Sequence, residues 1–261
     1  MIRNRIAVSV VIAAIVLNIA GCTAKTDVSV SSLPTSSTSV QAKAKSTLPH
    51  SLGLSGVENA RDLGGYRTAD GKTVKMGVLL RTAALEHATA NDIRILTEQY
   101  HLAQIIDFRT VKGARENPDP VINGVTETNL PIHPSTKQLR PGENSSYVDM
   151  VTNPKSISAF RQFFTILLSH KNRAVLFHCA AGKDRTGIAS ILLLSALNVD
   201  ENTIIQDYLL SNEYHASVEK DWAMTALHEI NSRYGSMDAF LNRELGLTPQ
   251  DRIKLQAMYL Q

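Results

Sequence analysis

Residues 174 to 197 constrain the fold more than any other stretch of this chain. Ala174-Val175-Leu176-Phe177 is a short, wholly apolar run of the kind that forms a strand buried on both faces. It passes into a polar turn, His178-Cys179-Ala180-Ala181-Gly182-Lys183-Asp184-Arg185-Thr186-Gly187, and then directly into a strongly apolar helix from Ile188 to Leu197. Both flanks need cover, so the segment calls for a layered structure rather than a lone hairpin or helix bundle.

The rest of the chain fits that demand. Val78-Leu79-Leu80 and Gln104-Ile105-Ile106 are further buried-strand runs, and Ile93, Leu96 and Tyr100 recur between them at helical spacing. Asn153-Pro154 reads as a cap and first helical position, opening a helix whose apolar face is Ile157, Phe160, Phe164, Leu167 and Leu168. Further helices are expected from near Asp200, around Val218, Trp222 and Ile230, through Phe240 and Leu241, and from the cap-and-proline start Thr248-Pro249-Gln250-Asp251. Tyr66 to Val74 is expected to be a hairpin turning at Asp70-Gly71. Strands alternating with helices make the fold class α/β: a central, mostly parallel sheet flanked by helices, with extra helices toward the C-terminus. The chain's 261 residues, 43% of them hydrophobic, are ample for one core and too few to demand two.

The turn at 178–187 carries the chemistry. A cysteine and an arginine, Cys179 and Arg185, flank five residues between a strand and a helix. A loop this short can curl until its backbone N–H groups converge, with the positive end of the next helix aimed at the same spot. That is a cradle for a tetrahedral dianion, built by Ala180, Ala181, Gly182, Lys183, Asp184 and Arg185. Arg185 offers a planar fork to two phosphate oxygens. Cys179 lies at the centre of the positive field, which favours its thiolate as a nucleophile toward phosphorus. Thr186 is placed to donate to the thiolate, and His178 to orient the loop. Gly182-Lys183 is not a nucleotide loop: Asp184 stands where a hydroxyl would hold magnesium, and no glycine precedes at the required spacing.

Taken whole, His-Cys-x-x-Gly-Lys-Asp-Arg-Thr-Gly between an apolar strand and an apolar helix resembles the protein tyrosine phosphatase superfamily. It is most similar to the bacterial atypical tyrosine, dual-specificity and lipid phosphatases whose loop carries Gly-Lys-Asp-Arg. The resemblance extends to Asn59-Ala60-Arg61-Asp62-Leu63-Gly64-Gly65-Tyr66, Leu80-Arg81-Thr82-Ala83, Asp107-Phe108-Arg109, Tyr208-Leu209-Leu210-Ser211-Asn212 and Leu245-Gly246-Leu247-Thr248. It implies hydrolysis of phosphotyrosine, with phosphoserine and phosphothreonine as further substrates, through a phosphocysteine intermediate. A phosphoinositide phosphatase is the alternative, motivated by Lys183 and by membrane tethering. A catalytically dead module that binds phosphorylated ligands is the third reading, and intact Cys179, Arg185 and Thr186 argue against it.

Two carboxyls are candidates for the proton donor to the leaving oxygen. Asp107 is the preferred one: it ends a buried strand whose tip should face the same rim as Cys179, and an acid across the pocket has better access to the leaving oxygen. Asp184 lies in the cradle itself. The corresponding structural readings are an ion pair of Asp107 with Arg109 or Arg61, and loop bracing by Asp184. There is no Trp-Pro-Asp acid loop of the conventional tyrosine phosphatase kind. Arg61 and Arg81 either line the pocket or brace it, with bracing expected; Trp222 and the aromatics around Tyr208 and Tyr214 are expected to pack in the core or a lid, with stacking on substrate as the alternative. Lys183 binds a second phosphate or head group on one reading, and is a solvated loop residue or a partner of Asp184 on the other. No His, Cys and carboxylate cluster has metal-ligand spacing, so neither metal nor cofactor is expected.

The N-terminus points to export. Arg3 and Arg5 precede an apolar run from Ile6 to Leu17, which ends in Ile19-Ala20-Gly21-Cys22. This reads as a signal peptide over residues 1–21, with a lipobox-like cleavage site and lipidation at Cys22. An uncleaved single-span anchor is the alternative. A Ser- and Thr-rich tether at 22–47 then leads to a catalytic domain at 48–261. The domain would lie outside the cytoplasm, held to the bacterial membrane through lipid. Cys22 and Cys179 are the chain's two cysteines, so lipidation would leave Cys179 without a disulfide partner, as either a reactive thiol or an inert buried one. The formal charge of +3 falls to +1 without Arg3 and Arg5, which gives no bulk argument for nucleic-acid binding.

Overall fold

The computed structural model describes residues 50–133, 145–170 and 173–261. The expected leader, Cys22 and the tether lie outside the described residues. Within them, five strands and nine helices form one sheet with cover on both faces. The strands are β1 (Arg61–Asp62), β2 (Leu79–Thr82), β3 (Leu102–Asp107), β4 (Thr126–Asn129) and β5 (Ala174–His178). Their order across the sheet is β1-β2-β5-β3-β4. Only the β1–β2 pairing is antiparallel; β2, β5, β3 and β4 run parallel. The expected α/β class holds.

The strand sequences explain their place. Along β5, Val175 and Phe177 join one core while Ala174 and Leu176 join the other, the alternation a pleated strand imposes. Ile106 and Ile105 on β3 divide in the same way. Edge strand β4, Thr-Glu-Thr-Asn, has no apolar residue, and β1 is only two residues long.

The helices are α1 (Ala90–Arg94), α2 (Val111–Glu116), α3 (Ser145–Thr152), α4 (Pro154–Ser169), α5 (Arg185–Ala196), α6 (Glu201–Leu209), α7 (Lys220–Tyr234), α8 (Met237–Arg243) and α9 (Pro249–Tyr259). Helix α1 passes into a π-helical turn, Ile95–Gln99. Asn153 caps α4 by accepting from Lys155 N, with Pro154 as first residue. Thr248 and Asp251 form a reciprocal capping box on α9. Helix α5 is buried nearly all round, so its sequence is apolar on every side rather than striped. The expected hairpin at 66–74 forms as a short one, with an antiparallel bridge from Arg67 to Thr73 and backbone bonds from Thr68 N to Lys72 O and from Val74 N to Tyr66 O, both 2.9 Å, around Gly71 at φ +87°. The flanking residues bridge elsewhere, Thr68 to Val199 and Val74 to Leu260.

Register places the site. Thr82 and Asp107 both pair with His178, and Asp107 also pairs with Asn129. The C-terminal tips of all four parallel strands therefore share one rim, where open α/β sheets carry their ligand sites.

Candidate active site

The loop after β5 leaves the sheet at His178 and enters α5 at Arg185, with Asp184 at the N-cap position. Its carbonyls determine what it can bind. Cys179 O lies 3.2 Å from His178 Nδ1, and Ala180 O accepts from Ala84 N at 3.0 Å. Ala181 O and Gly182 O accept from Asn59 Nδ2 at 3.1 and 3.0 Å, and Gly182 O also from Arg81 Nη2 at 2.9 Å. Three successive carbonyls, those of Ala180, Ala181 and Gly182, are thus held by groups outside the loop. Because C=O and the following N–H oppose each other across a trans peptide, the N–H groups of residues 181–183 turn the other way, into the loop. Gly182 makes the curl possible: its φ is +64°, and a Cβ there would sit 2.3 Å from Thr82 O.

Cys179 is 2% exposed at the start of the loop. Arg185 donates from Nη1 to Phe108 O at 3.4 Å. A cavity of about 150 Å³ opens beside them, lined by Ala84, Glu86, Arg109, Thr110, Ala180 and Arg185 among others. Thr186 is fully buried, and its Oγ1 has no hydrogen-bond partner among the described residues. A buried hydroxyl without a partner is costly, so it is available to a ligand or thiolate in the loop.

A buried cation network lies under the loop. Asp207 meets Arg81 Nη1 at 2.6 Å and Arg61 Nε at 3.2 Å, and accepts from Tyr66 Oη at 3.1 Å. Arg61 also bonds the Asn59 side-chain oxygen and, at 3.2 Å, Ser211 Oγ. Burial works against the Asp207 carboxylate, but the charges of Arg61 and Arg81 outweigh it and hold the group below the usual range. Burial, then the neighbouring Arg61, pushes Arg81 down to about 10, which leaves it charged at neutral pH. Arg61 and Arg81 therefore brace the loop, as expected.

A second network stands behind His178. Its Nε2 lies 3.0 Å from Asp119 Oδ2, and Arg109 Nη2 reaches Asp119 at 2.8 Å and Asp107 at 3.0 Å. Burial opposes the Asp119 carboxylate, yet the hydrogen bond and charge of His178, with Arg109, keep it below the ordinary range. Asp107, Asp119 and His178 bring potential ligand atoms within 4.8 Å of one another. The Arg109 guanidinium already lies among these carboxylates and supplies their positive charge.

The two candidate acids occupy different surroundings. Asp107 is wholly buried, and both its oxygens accept from Arg109 Nε at 3.0 Å. The Asp184 side chain is 38% exposed, and its Oδ1 accepts from Tyr147 Oη at 2.6 Å. Lys183 Nζ lies 3.9 Å from Asp184 Oδ2, donates to Ser217 O at 2.8 Å and sits 5.3 Å from the Trp222 ring centre.

Sequence reasoning missed Asp207, Asp119 and Tyr147. Asp207 directly precedes the Tyr208-Leu209-Leu210-Ser211-Asn212 run, which is a usable signal. Asp119 is set between Pro118 and Pro120, a stiff segment that hints at a fixed side chain. For Tyr147 the sequence offers no signal.

Several known proteins are similar to this chain. A protein of Cupriavidus necator named as a tyrosine-protein phosphatase is 31% identical, over 64% of this chain and 65% of its own length. The triple specificity protein phosphatase PtpB of Mycobacterium tuberculosis is 27% identical, over 61% of this chain and 68% of its own. The chain thus spans slightly less than two thirds of the Cupriavidus relative. Among solved structures, the core catalytic domain of the S. cerevisiae PP-IP phosphatase SIW14 aligns at 12% identity and a TM-score of 0.38, covering 66% of this chain and 90% of that one. The model of the tyrosine phosphatase family matches residues 52–261, which takes in every element described above, and the chain belongs to that family.

Proposed function

We propose that the chain is a cysteine-dependent phosphatase that hydrolyses phosphotyrosine, with phosphoserine and phosphothreonine as further substrates. The observation that carries this reading is the set of three carbonyls at residues 180–182 held by Ala84, Asn59 and Arg81, which turns the N–H groups of residues 181–183 back into the loop that begins at Cys179. Donors fixed before substrate arrives are the form of stabilisation a developing phosphoryl charge needs.

The steps follow from the residues. The Cys179 thiolate attacks phosphorus in line; the S–P bond forms as the P–O bond to the leaving group breaks. Arg185 and the loop N–H groups hold the three non-bridging oxygens. Asp184 gives its proton to the leaving oxygen, then takes one from the water that attacks the phosphocysteine and releases phosphate. Thr186 Oγ1, with its hydrogen uncommitted, stabilises the departing thiolate. The acid is assigned to Asp184 because Asp107 has both oxygens engaged by Arg109 and no exposure, whereas Asp184 is part-exposed on the loop itself. Metal and cofactor have no role in this scheme.

Lys183 supports a second reading. Its side chain is 25% exposed beside Asp184, where a phosphoinositide head group with a further phosphate would meet it. A panel comparing a phosphotyrosine peptide with phosphoinositides, with wild type beside Cys179→Ser, tests both. A wild type inactive on every substrate would falsify the enzyme reading and leave a phospho-ligand binding module. Lipid attachment at Cys22, and a place outside the cytoplasm on the bacterial membrane, belong to the proposal on the strength of residues 3–22. Mass spectrometry of the mature N-terminus tests it, and residues 1–21 still attached would sink it.

A further inference from the structure

We propose that Tyr147, backed by Tyr208, positions the proton donor: its hydroxyl holds Asp184 by Oδ1 and leaves Oδ2 to carry the proton that the leaving oxygen takes. This rests on the assignment of Asp184 as the acid.

Tyr147 Oη donates to Asp184 Oδ1 at 2.6 Å, and the Tyr147 and Tyr208 hydroxyls lie 2.6 Å apart. A phenol has one hydrogen to give. Tyr147 commits its own to Asp184, so the bond between the phenols is donated by Tyr208. The three groups form a directed chain, Tyr208 to Tyr147 to Asp184. Burial above all, then the Asp184 charge and Tyr208, pushes the Tyr147 phenol well above its usual range, so it stays a donor across the working pH of an enzyme.

The chain joins a part-exposed group to a fixed support. Tyr147 on α3 is 1% exposed and Tyr208 on α6 is fully buried, against 38% for the Asp184 side chain. The two tyrosine rings meet edge to face at 6.3 Å and 88°, and Trp222 of α7 packs on Tyr147 at 6.1 Å. Asp184 occupies the N-cap position of α5 but makes no side-chain capping bond. An aspartate there ordinarily turns back onto its own helix; here Tyr147 draws it away. An acid works only when its proton is within hydrogen-bond reach of the leaving oxygen, and a carboxyl in solvent rotates. Tyr208 also begins the Tyr-Leu-Leu-Ser-Asn run, of which the hydrolytic steps themselves use no member.

The test compares kcat and KM for phenyl phosphate, whose leaving group needs a proton, with 2,4-dinitrophenyl phosphate, whose leaving group does not. Tyr147→Phe should lower kcat/KM on phenyl phosphate about tenfold more than on the dinitrophenyl ester, because kcat/KM reports the step in which the leaving group departs whereas hydrolysis of the phosphocysteine is common to both; a factor of that size is what loss of one hydrogen bond to a charged or acidic group implies. In an Asp184→Asn background the same substitution should add nothing. Tyr208→Phe should show the same selectivity at smaller size, and carries the test if Tyr147→Phe fails to fold. Equal losses of kcat/KM on both esters, or a loss that persists beside Asp184→Asn, would overturn the proposal while leaving the acid assignment standing. If Asp184→Asn alone turns over phenyl phosphate normally, the acid assignment falls and Tyr147 with it.

Discussion

Arg81 and Asp207 form a fully buried ion pair, 2.6 Å apart, directly beneath the loop that Arg81 also holds through Gly182 O at 2.9 Å. Asp207 is therefore the counter-charge for two buried guanidinium groups, Arg81 and Arg61. Asp207→Asn keeps the shape and removes that charge. Breaking a buried pair from one side typically costs about 3–5 kcal/mol. We expect a loss of that order in urea unfolding, accompanied by loss of turnover.

The same carboxylate sets a pH dependence. Arg61 and Arg81 hold Asp207 below its unfolded value despite burial, and His178 with Arg109 does so for Asp119. A carboxyl with a depressed folded-state value stabilises fully above the unfolded value, near 4, and loses that contribution as pH falls through the folded value. Urea midpoints should fall between about pH 5 and pH 3, and the fall should be shallower in Asp207→Asn. Asp62 opposes the trend, because burial outweighs its hydrogen bonds from Gly77 and Gly64 and raises it. A midpoint independent of pH over that range would contradict the assignment.

Gly182→Ala should be among the most damaging single-methyl changes in the protein. The new Cβ would meet Thr82 O, a backbone atom, at 2.3 Å, with φ at +64°. Left-handed strain and overpacking together cost roughly 2–4 kcal/mol. Circular dichroism melting should record the destabilisation. Phosphate protection of the chain should weaken in parallel, since the carbonyl-out turn cannot form.

Arg185→Lys retains the charge and discards the fork. A point charge cannot hold two oxygens in fixed geometry. We expect kcat on para-nitrophenyl phosphate to fall by about two orders of magnitude or more, as when preorganised charge stabilisation is removed. Activity within a few-fold of wild type would remove Arg185 from the clamp role.

Iodoacetamide should alkylate Cys179 near neutral pH, and inorganic phosphate should protect it. Cys179 is 2% exposed at the start of the loop that leads into the N-terminus of α5, whose positive end favours a thiolate there. Labelling that follows an ordinary exposed thiol, with no phosphate effect, would contradict the cradle.

The loop was legible because its parts are contiguous: Cys179 to Arg185 can be read without knowing any distance. Strand β5 and helices α4, α5 and α9 were legible from apolar runs and caps. What escaped depends on contacts far apart in the chain. Arg61–Asp62 is a charged dipeptide that no periodicity marks as a strand, and Arg61 finds its partner in Asp207, 146 positions on. Strand β4 has no apolar residue to announce it. The choice between Asp107 and Asp184 was open in sequence because both follow plausible chemistry; what separates their surroundings is Arg109 against one and Tyr147 against the other.

The outward-held carbonyls have a consequence for how competence arises. Their donors come from residues 59, 81 and 84, and Arg81 is itself fixed by Asp207. A nascent or unfolded chain carries the whole run from 178 to 187 yet owns no anion hole. Reactivity is a property the molecule acquires last, once most of its length has closed around one short turn. Turnover and tertiary structure should therefore vanish at the same denaturant concentration, so that activity serves as a reporter of the native state.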